Sequence, residues 1–423
     1  MAYRAKGFNL PERIVFTHSK GTTDITGSYT RIIVEEDIFN PSISMSIAIA
    51  DSTGALDDID FDGTETVKLS FNSSKPDDNT INLLFRVYKV TVAPAEDGTN
   101  NKAYFLYGVT PEHFTQAIMD INQSFNVPLN EAAKVILDKV NNNTTRKKKR
   151  KLNFHETTGT YTYIIPGMTP YESMDFLCKR SYDATFTSSL FTFYENNKGY
   201  NFHNIERLIK DERDEVINYT YNAQVNTNDD EIDHQHELMS IEFKPTKNVM
   251  DRIKSGAYAS QVAEINLIDQ TLDRRALLVK DNFKDFVHTD KKAMSLDSKD
   301  MIDDSLNVIN STYWKNSCGV NDNIADIVPR RKFYMDSLAT VEMTCVAPGD
   351  SNLAVGKMIG LSMLEQNVKN QTKQQEPKVT GKYLVTRLIH TLTREDYVMS
   401  MTCNKDSFRT NVKDPKKNIV AEK

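Results

Sequence analysis

The chain of 423 residues predicts a mainly antiparallel β fold, two similar β-barrels with a small α+β domain inserted between them. Three observations predict it. Apolar residues alternate with period 2 near both ends of the chain, helical spacing is confined to the middle, and the order of strands, loops and glycines near the N-terminus is repeated near the C-terminus. At roughly 100 to 200 residues per domain, the length accommodates two or three domains and a sizeable core.

In the N-terminal part, "SISMSIAIAD" (Ser42–Asp51) places Ile43, Met45, Ile47 and Ile49 on one face with serines and alanines opposite, the pattern of a half-buried strand. "ETVKLSF" repeats it with Val67, Leu69 and Phe71. "LLFRVYKVTV" (Leu83–Val92) sets Phe85, Val87, Lys89 and Thr91 against Leu84, Arg86, Tyr88, Val90 and Val92, and "KAYFLYGVT" follows the polar loop "APAEDGTNN". Residues 1–110 are therefore expected to form the first barrel.

The period changes at Thr110. "TPEHF" offers Thr110 as an N-cap with Pro111 at the first helical position, and "PLNEAAKVILDKV" spaces Leu129, Ala132, Ala133, Ile136, Leu137 and Val140 along one helical face. "TPYESMDFLCKRS" carries a capping box in Thr169 and Glu172, with Pro170 at N1 and Tyr171, Met174, Leu177 and Cys178 on one face. "LFTFYENNKGYNFHNI" reads as a hairpin turning through Asn196 to Gly199. These elements define an α+β domain over residues 111–206.

Strand character returns in "ELMSIEFKP" (Glu237–Pro245), "GAYASQVAEINLID" (Gly256–Asp269), "ATVEMTCVAPGDSNLAVGKMIGLSM" and "KYLVTRLIHTLTREDYVMSMTCN". Residues 207–272 and 332–405 are expected to form the second barrel. The intervening stretch, 273–331, is polar and irregular, with short helices around "KDMIDDSLNVI" and no role assigned; residues 406–423 read as an unpacked tail. The repeat is one of order: "SMSIAIAD", "GTETVKLSF", "LLFRVYKVTV" and "KAYFLYGVTPE" answer to "TVEMTCVAPG", "GKMIGLSM", "KYLVTRLIHTL" and "YVMSMTCNKD".

Charge and motifs narrow the function. Asp and Glu number 58 against 52 Lys and Arg, a balance that repels polyanions, so no specific nucleic acid is expected as partner. Cys178, Cys318, Cys345 and Cys403 are far apart with no C-x-x-C pair, which suits reduced, packed thiols in a reducing cytoplasm. The N-terminus has no uninterrupted apolar h-region, and no run approaches the about 18 apolar residues of a membrane span, so no membrane insertion is expected. Nucleophile elbow, P-loop, HExxH and dinucleotide fingerprint are absent from the sequence. The 16 glycines fall well below the usual fraction of about 7%. The expectation is a protein that is not an enzyme, with no catalytic residues, metal or cofactor.

Charged stretches supply the candidate site. Arg146, Lys147, Lys148, Lys149, Arg150 and Lys151 form one cationic run. It reads either as a nucleic-acid, nuclear-import or lipid patch, or as a solvated loop after "NNNTT"; without interleaved aromatics the loop is favoured, exposed on the rim of the α+β domain. Asp51, Asp57, Asp58, Asp60, Asp62 and Glu65 crowd the loop between two strands, which keeps a sheet edge soluble or faces a charged partner. The run, with Asp57, Asp58, Asp60 and Asp62, is the candidate protein-interface patch. His234 and His236 lie near Asp229, Asp230, Glu231 and Asp233, but no third metal ligand is specified and a solvated acidic turn is favoured.

In three segments the sequence resembles the baseplate hub protein of contractile-tailed phages of the T-even type, and the hub part of contractile injection system spike proteins. These are "EDIFNPSISMSIAIADSTGALDDIDFDGTETVKLSF", "IIPGMTPYESMDFLCKRSYDA" with its hairpin "FTFYENNKGYNF", and "NLAVGKMIGLSM" followed by "GKYLVTRLIHTLTREDYVMSMTCNKD". The resemblance implies that the two barrels are tail-tube-like and that three subunits build a pseudo-sixfold ring, docking a hexameric tail tube on one face and a threefold central spike on the other. Implied partners are two further copies, the tail tube protein, a separate spike protein and neighbouring baseplate wedge proteins, in a virion tail assembled in the host cytoplasm. The spike is expected to be separate because the sequence ends after the second barrel. A carbohydrate-binding or adhesion module of a tail is the competing reading, disfavoured by a single tryptophan, Trp314.

Overall fold

The computed structural model describes residues 11–57, 59–73, 79–94, 102–221, 236–244, 259–266, 270–278, 286–290, 292–293, 306–309, 324–367, 372–375 and 379–408. The N-terminal part forms β1 (Arg13–His18), β2 (Gly21–Asp24), β3 (Tyr29–Asp37), β4 (Ser44–Asp51), β5 (Thr66–Phe71), β6 (Ile81–Pro94) and β7 (Lys102–Val109). The middle forms α1 (Pro111–Ala117), β8 (Ile121–Val127), α2 (Leu129–Asn143), β9 (Leu152–Phe154), β10 (Tyr161–Met168), α3 (Pro170–Cys178), β11 (Phe191–Asn196), β12 (Gly199–Asn204) and α4 (Ile205–Glu212). There follow β13 (Ile217–Tyr221), β14 (Ser240–Phe243), β15 (Ala259–Asn266), β16 (Thr271–Leu278), β17 (Lys292–Ala293), β18 (Leu306–Ile309) and α5 (Ile324–Leu338). The C-terminal strands are β19 (Val341–Pro348), β20 (Met358–Asn367), β21 (Thr372–Gln375), β22 (Gly381–Thr393), β23 (Tyr397–Lys405) and β24 (Ser407–Phe408).

The fold is mainly antiparallel β, and its two β units carry the same strand order. In a 14-stranded sheet, β4-β7-β6-β5 is answered by β19-β23-β22-β20. Inward alternation drives each unit: Ile43, Met45, Ile47, Ile49, Val67, Leu69 and Phe71 are all buried, as are Met343, Cys345, Met399, Met401 and Cys403. A bulge falls at matching places, skipping Tyr88 between β6 and β7 and Thr386 between β22 and β23. The bulge corrects one expected face: Phe85 and Val87 are buried, but beyond Tyr88 the phase reverses, so Lys89 and Thr91 are exposed and Val90 packs toward the core.

The two units are joined edge to edge. β22 pairs antiparallel with β3 from Arg387↔Asp37 to Thr393↔Arg31, and Ile32, Val34, Leu388 and Leu392 belong to one apolar core that runs through both units. The α+β part has its own core, in which Ala132, Ile136 and Leu177 pack with Phe191 and Phe202. Its α3 has the expected capping box: Glu172 N donates to the Thr169 hydroxyl, and Thr169 N donates to Glu172 Oε2. The β11–β12 hairpin turns at Asn196–Gly199. Gly199 sits at φ +152°, where a Cβ would lie 2.7 Å from the Lys151 carbonyl oxygen, so only glycine lets β9 lie parallel against β12 here.

Other expectations are corrected. The strand in Gly256–Asp269 does not join the second β unit's sheet: β15 pairs with β16 and β18 in a separate three-stranded sheet. "LNVI", read as part of a short helix, is strand β18, while 299–305 lie outside the described residues. The polar stretch ends in α5, whose Phe333, Tyr334 and Leu338 enter the common core despite Pro329 within the helix. The tail is packed at its start, because Asp406 is buried and β24 pairs with β17; residues 409–423 lie outside the described ones.

Leu388 sits at zero exposure in the joint between the units. Leu388→Ala should lower the unfolding free energy by about 2 to 5 kcal/mol, read from the urea midpoint. A loss no larger than that of an exposed substitution would show that the joint is not part of the common core.

Candidate functional site

The cationic run divides into inward arginines and outward lysines. After α2 ends, Thr144 is extended and the chain loops toward β9. Arg146 turns back to α1, with Nε 2.8 Å from Glu112 Oε1, and its Nη2 donates to the Leu84 carbonyl of β6 at 3.3 Å. Arg150 reaches β11: Nε donates to Glu195 Oε1 at 3.0 Å, Nη2 to the Asn196 carbonyl at 2.6 Å and Nη1 to the Asn197 carbonyl at 3.3 Å. Both arginine side chains are 10% exposed and both carboxylates 0%. Lys147, Lys148, Lys149 and Lys151 are exposed, and Lys149 Nζ donates to Asn142. The four lysines are thus exposed, whereas Arg146 and Arg150, expected on an exposed rim, are turned into the protein by their buried carboxylate partners.

Glu195 ties this loop to the first β unit. Its Oε2 accepts from the Thr110 hydroxyl at 2.7 Å and from Ile43 N at 3.3 Å. Thr110, expected to cap α1 through its side chain, makes no such bond and spends its hydroxyl on Glu195 instead. Burial pushes Glu112 up, while the arginines pull it down. Burial also opposes the Arg150 charge, yet Glu195 and its neighbours outweigh it and hold the guanidinium above its ordinary value.

Next to this pair, Glu36 is buried on β3. Its Oε1 accepts from Asn197 N at 2.8 Å and its Oε2 from Val355 N at 3.3 Å, so one side chain of the first unit satisfies backbone donors from the α+β hairpin and from the β19–β20 loop. Burial raises its pKa to about 7, against the opposing pull of those two N–H groups. The fully buried groups here face an arginine or a backbone N–H, so the cluster is an electrostatic fastening of three parts of the chain.

The acidic loop is wired to itself. Asp51 Oδ2 accepts from Leu56 N at 2.8 Å, Glu65 accepts from Asp62 N and Gly63 N, both at 2.9 Å, and both carboxylates are buried. Asp62 accepts from Thr64 N at 2.9 Å. Asp57 accepts from Lys102 Nζ at 2.7 Å and from the Tyr104 hydroxyl, and these bonds lower its pKa. Asp57, Asp60 and Asp62 are exposed. The arginines of the run thus meet Glu112 and Glu195, not Asp57 or Asp62, and the candidate patch divides into a lysine tip and a separate aspartate loop. Asp58, His234 with the acidic residues 229–233, Cys318 and Trp314 lie outside the described residues. His236 stands edge-on to Tyr219 with Nε2 3.9 Å from Asp350 Oδ2. Cys178, Cys345 and Cys403 are buried free thiols, and no helix among the described residues is long and apolar enough to cross a membrane.

No family model and no curated protein matches the chain. Among solved structures, a tail protein from Neisseria meningitidis MC58 is similar at a TM-score of 0.53 and 9% identity, over 93% of this chain and 96% of its own. The 43 kDa tail protein of prophage MuSo2 from Shewanella oneidensis is similar at a TM-score of 0.54 and 7% identity, over 93% of this chain and 98% of its own. The chain therefore has the fold of these tail proteins over nearly its whole length.

Arg150→Met leaves Glu195 buried without its counter-charge and should cost about 3 to 5 kcal/mol in chemical denaturation, whereas replacing Lys147, Lys148 and Lys149 by Gln should stay within about 0.5 kcal/mol. Equal losses would remove the division of the run. Glu36 has a folded pKa of about 7, above the usual carboxylate value, so folding favours its neutral form. Its contribution is full below about pH 4 and is lost as pH rises through about 7. Glu206, also raised to about 7 by burial, acts in the same window. Stability followed from pH 4 to 8 should fall less steeply in Glu36→Gln than in the native chain; identical slopes would mean that Glu36 is ionised in the folded protein.

Proposed function

We propose that this protein is a structural hub of a contractile phage tail baseplate, three copies forming a ring with six similar β units. One face of the ring receives the hexameric tail tube and the other a separate threefold spike, with wedge proteins around it. The observation that carries this reading is the repeated strand order joined edge to edge through β3 and β22. A chain with two like units in one sheet supplies six near-equivalent positions from three copies, which reconciles a sixfold partner with a threefold one. The likeness in fold to two tail proteins over more than nine-tenths of the chain supports it.

The work of such a hub is mechanical and geometric, through extensive interfaces and with no catalytic step. The exposed lysines 147–149 and 151 and the exposed Asp57, Asp60 and Asp62 are places for neighbouring baseplate proteins of opposite charge, with contacts that salt weakens.

Sedimentation equilibrium of the purified chain should give a mass near three times 48.2 kDa, and a tail reconstruction should hold three copies on the axis between the last tube ring and the spike. A chain that stays monomeric at all concentrations, with or without a spike protein, would contradict the hub. Binding on a glycan array would point to an adhesion module instead.

A further inference from the structure

The two β units can be aligned residue by residue across their sheets. The row Val34–Met45–Gly108–Val87 crosses β3, β4, β7 and β6, and the row Phe243–Met343–Cys403–Val385 crosses β14, β19, β23 and β22. Thr66↔Arg86 answers to Met358↔Leu384, and Val87 N donates to the Glu65 carbonyl as Val385 N donates to the Lys357 carbonyl. Tyr88 and Thr386 occupy the same bulge. By this register β14 is the counterpart of β3, and β6 the counterpart of β22.

The counterparts differ in what lies beside them. Past the bulge, β22 has β23 on one edge and β3 on the other. β6 has β7 on one edge from Lys89 to Pro94, and among the described residues no strand on the other. Likewise β14 pairs with β19, and its outer edge carries no strand among the described residues. Exposure follows the difference: Tyr88 is 56% and Val92 48% exposed, while Thr386 and His390, their counterparts where β3 completes the edge, are 4% and 1%.

We propose that the outer edge of β6, over Lys89–Pro94, docks β14 of a second copy of this chain in the register that joins β22 to β3. Transposing Ile389↔Glu35, His390↔Val34 and Thr391↔Ile33 pairs Thr91 with Lys244, Val92 with Phe243 and Ala93 with Glu242 of the neighbouring copy. The occupant is a second copy because the chain itself carries both halves of the joint, at places in the sheet separated by the whole run β19-β23-β22-β3-β4-β7. The contact is heterologous, one edge receiving and the other inserting, so copies either close into a ring or extend without end. Closure at three rests on the hub reading above; the strand pairing rests on the register. Lys89 and Lys244 on the two edges keep the unassembled chain from pairing indiscriminately.

The test is disulfide trapping in a Cys318→Ser background, Cys178, Cys345 and Cys403 being buried. Two double variants are made, Thr91→Cys with Lys244→Cys and Val92→Cys with Phe243→Cys, because successive antiparallel pairs alternate between close and wide geometry. Mild oxidation should give covalent dimer and trimer on a non-reducing gel for at least one pair. Single variants and the out-of-register pair Thr91→Cys with Ser240→Cys should stay at monomer mass. A protein of trimer mass that cross-links at neither pair overturns the strand register and leaves the ring standing. Ladders running past trimer keep the strand pairing and overturn the three-copy ring. Monomer without cross-links overturns both. Hydrogen exchange on the unmodified chain is the second measurement: amides of 89–93 and 240–244 should slow on assembly, and unchanged exchange in an assembled sample would overturn the pairing even if a cysteine variant failed to fold.

Discussion

Strand β3 is the constraint on which the rest depends. Its edges are both occupied, by β4 and by β22, so it is an interior strand of the joint sheet and any polar group on its inner face must be satisfied from elsewhere in the chain. Ile32 and Val34 occupy that face, and two residues further along it stands Glu36. A carboxyl group there costs free energy unless donors reach it, and the two that do belong to the β11–β12 hairpin and the β19–β20 loop. One side chain therefore fixes where both neighbours sit on the first β unit. A hydrophobic residue at that place would pack, but would specify neither.

The same logic governs Arg150 and Glu195. Buried ion pairs often contribute little net stability compared with well-packed apolar groups, because desolvation offsets their attraction. What they supply is a penalty for every arrangement that leaves one partner alone. Around Glu195 the penalty is spread over Thr110, Ile43 and Arg150, from three separate stretches of chain. The α+β part is thus oriented on the first unit by charge and hydrogen bonds in addition to Leu190, Tyr194, Ile205, Leu208 and Ile209, which share the apolar core that runs through the two paired β units.

Strand alternation in β4 and β5, the capping box of α3 and the hairpin at Gly199 were legible because each depends on residues close in sequence. Other features depend on partners far away. The bulge at Tyr88 reverses the faces of β6, and nothing local in "FRVYKVTV" marks it. α5 was hidden by Pro329 and a polar surface, and its assignment needs the core that Phe333 and Tyr334 enter. In "RKKKRK" the signal was present in residue type rather than charge. Arginine offers a planar fork of donors suited to a buried carboxylate and several carbonyls at once, and the two arginines stand four residues apart among lysines that remain in water. The acidic partners were less visible, yet Glu195 lies within "LFTFYEN", where an ionisable group in an apolar strand already asks for a counter-charge.

The weak identity between the halves has a physical explanation in their register. Gly108 faces Met45 closely enough that an added Cβ would come within 3.0 Å of the Met45 side chain and 3.2 Å of Phe85. The matching position in the second unit is Cys403, against Met343, and is buried there without difficulty. Core volumes are therefore distributed differently in the two units, and side chains have been free to differ wherever the total packs. Register has no such freedom. Because side chains alternate faces, a shift of one residue in β3, or loss of the bulge in β22, would turn Ile32, Val34 and Leu388 out of the core and take Glu36 away from its donors. Strand order, bulge and pairing therefore repeat where residue identity does not.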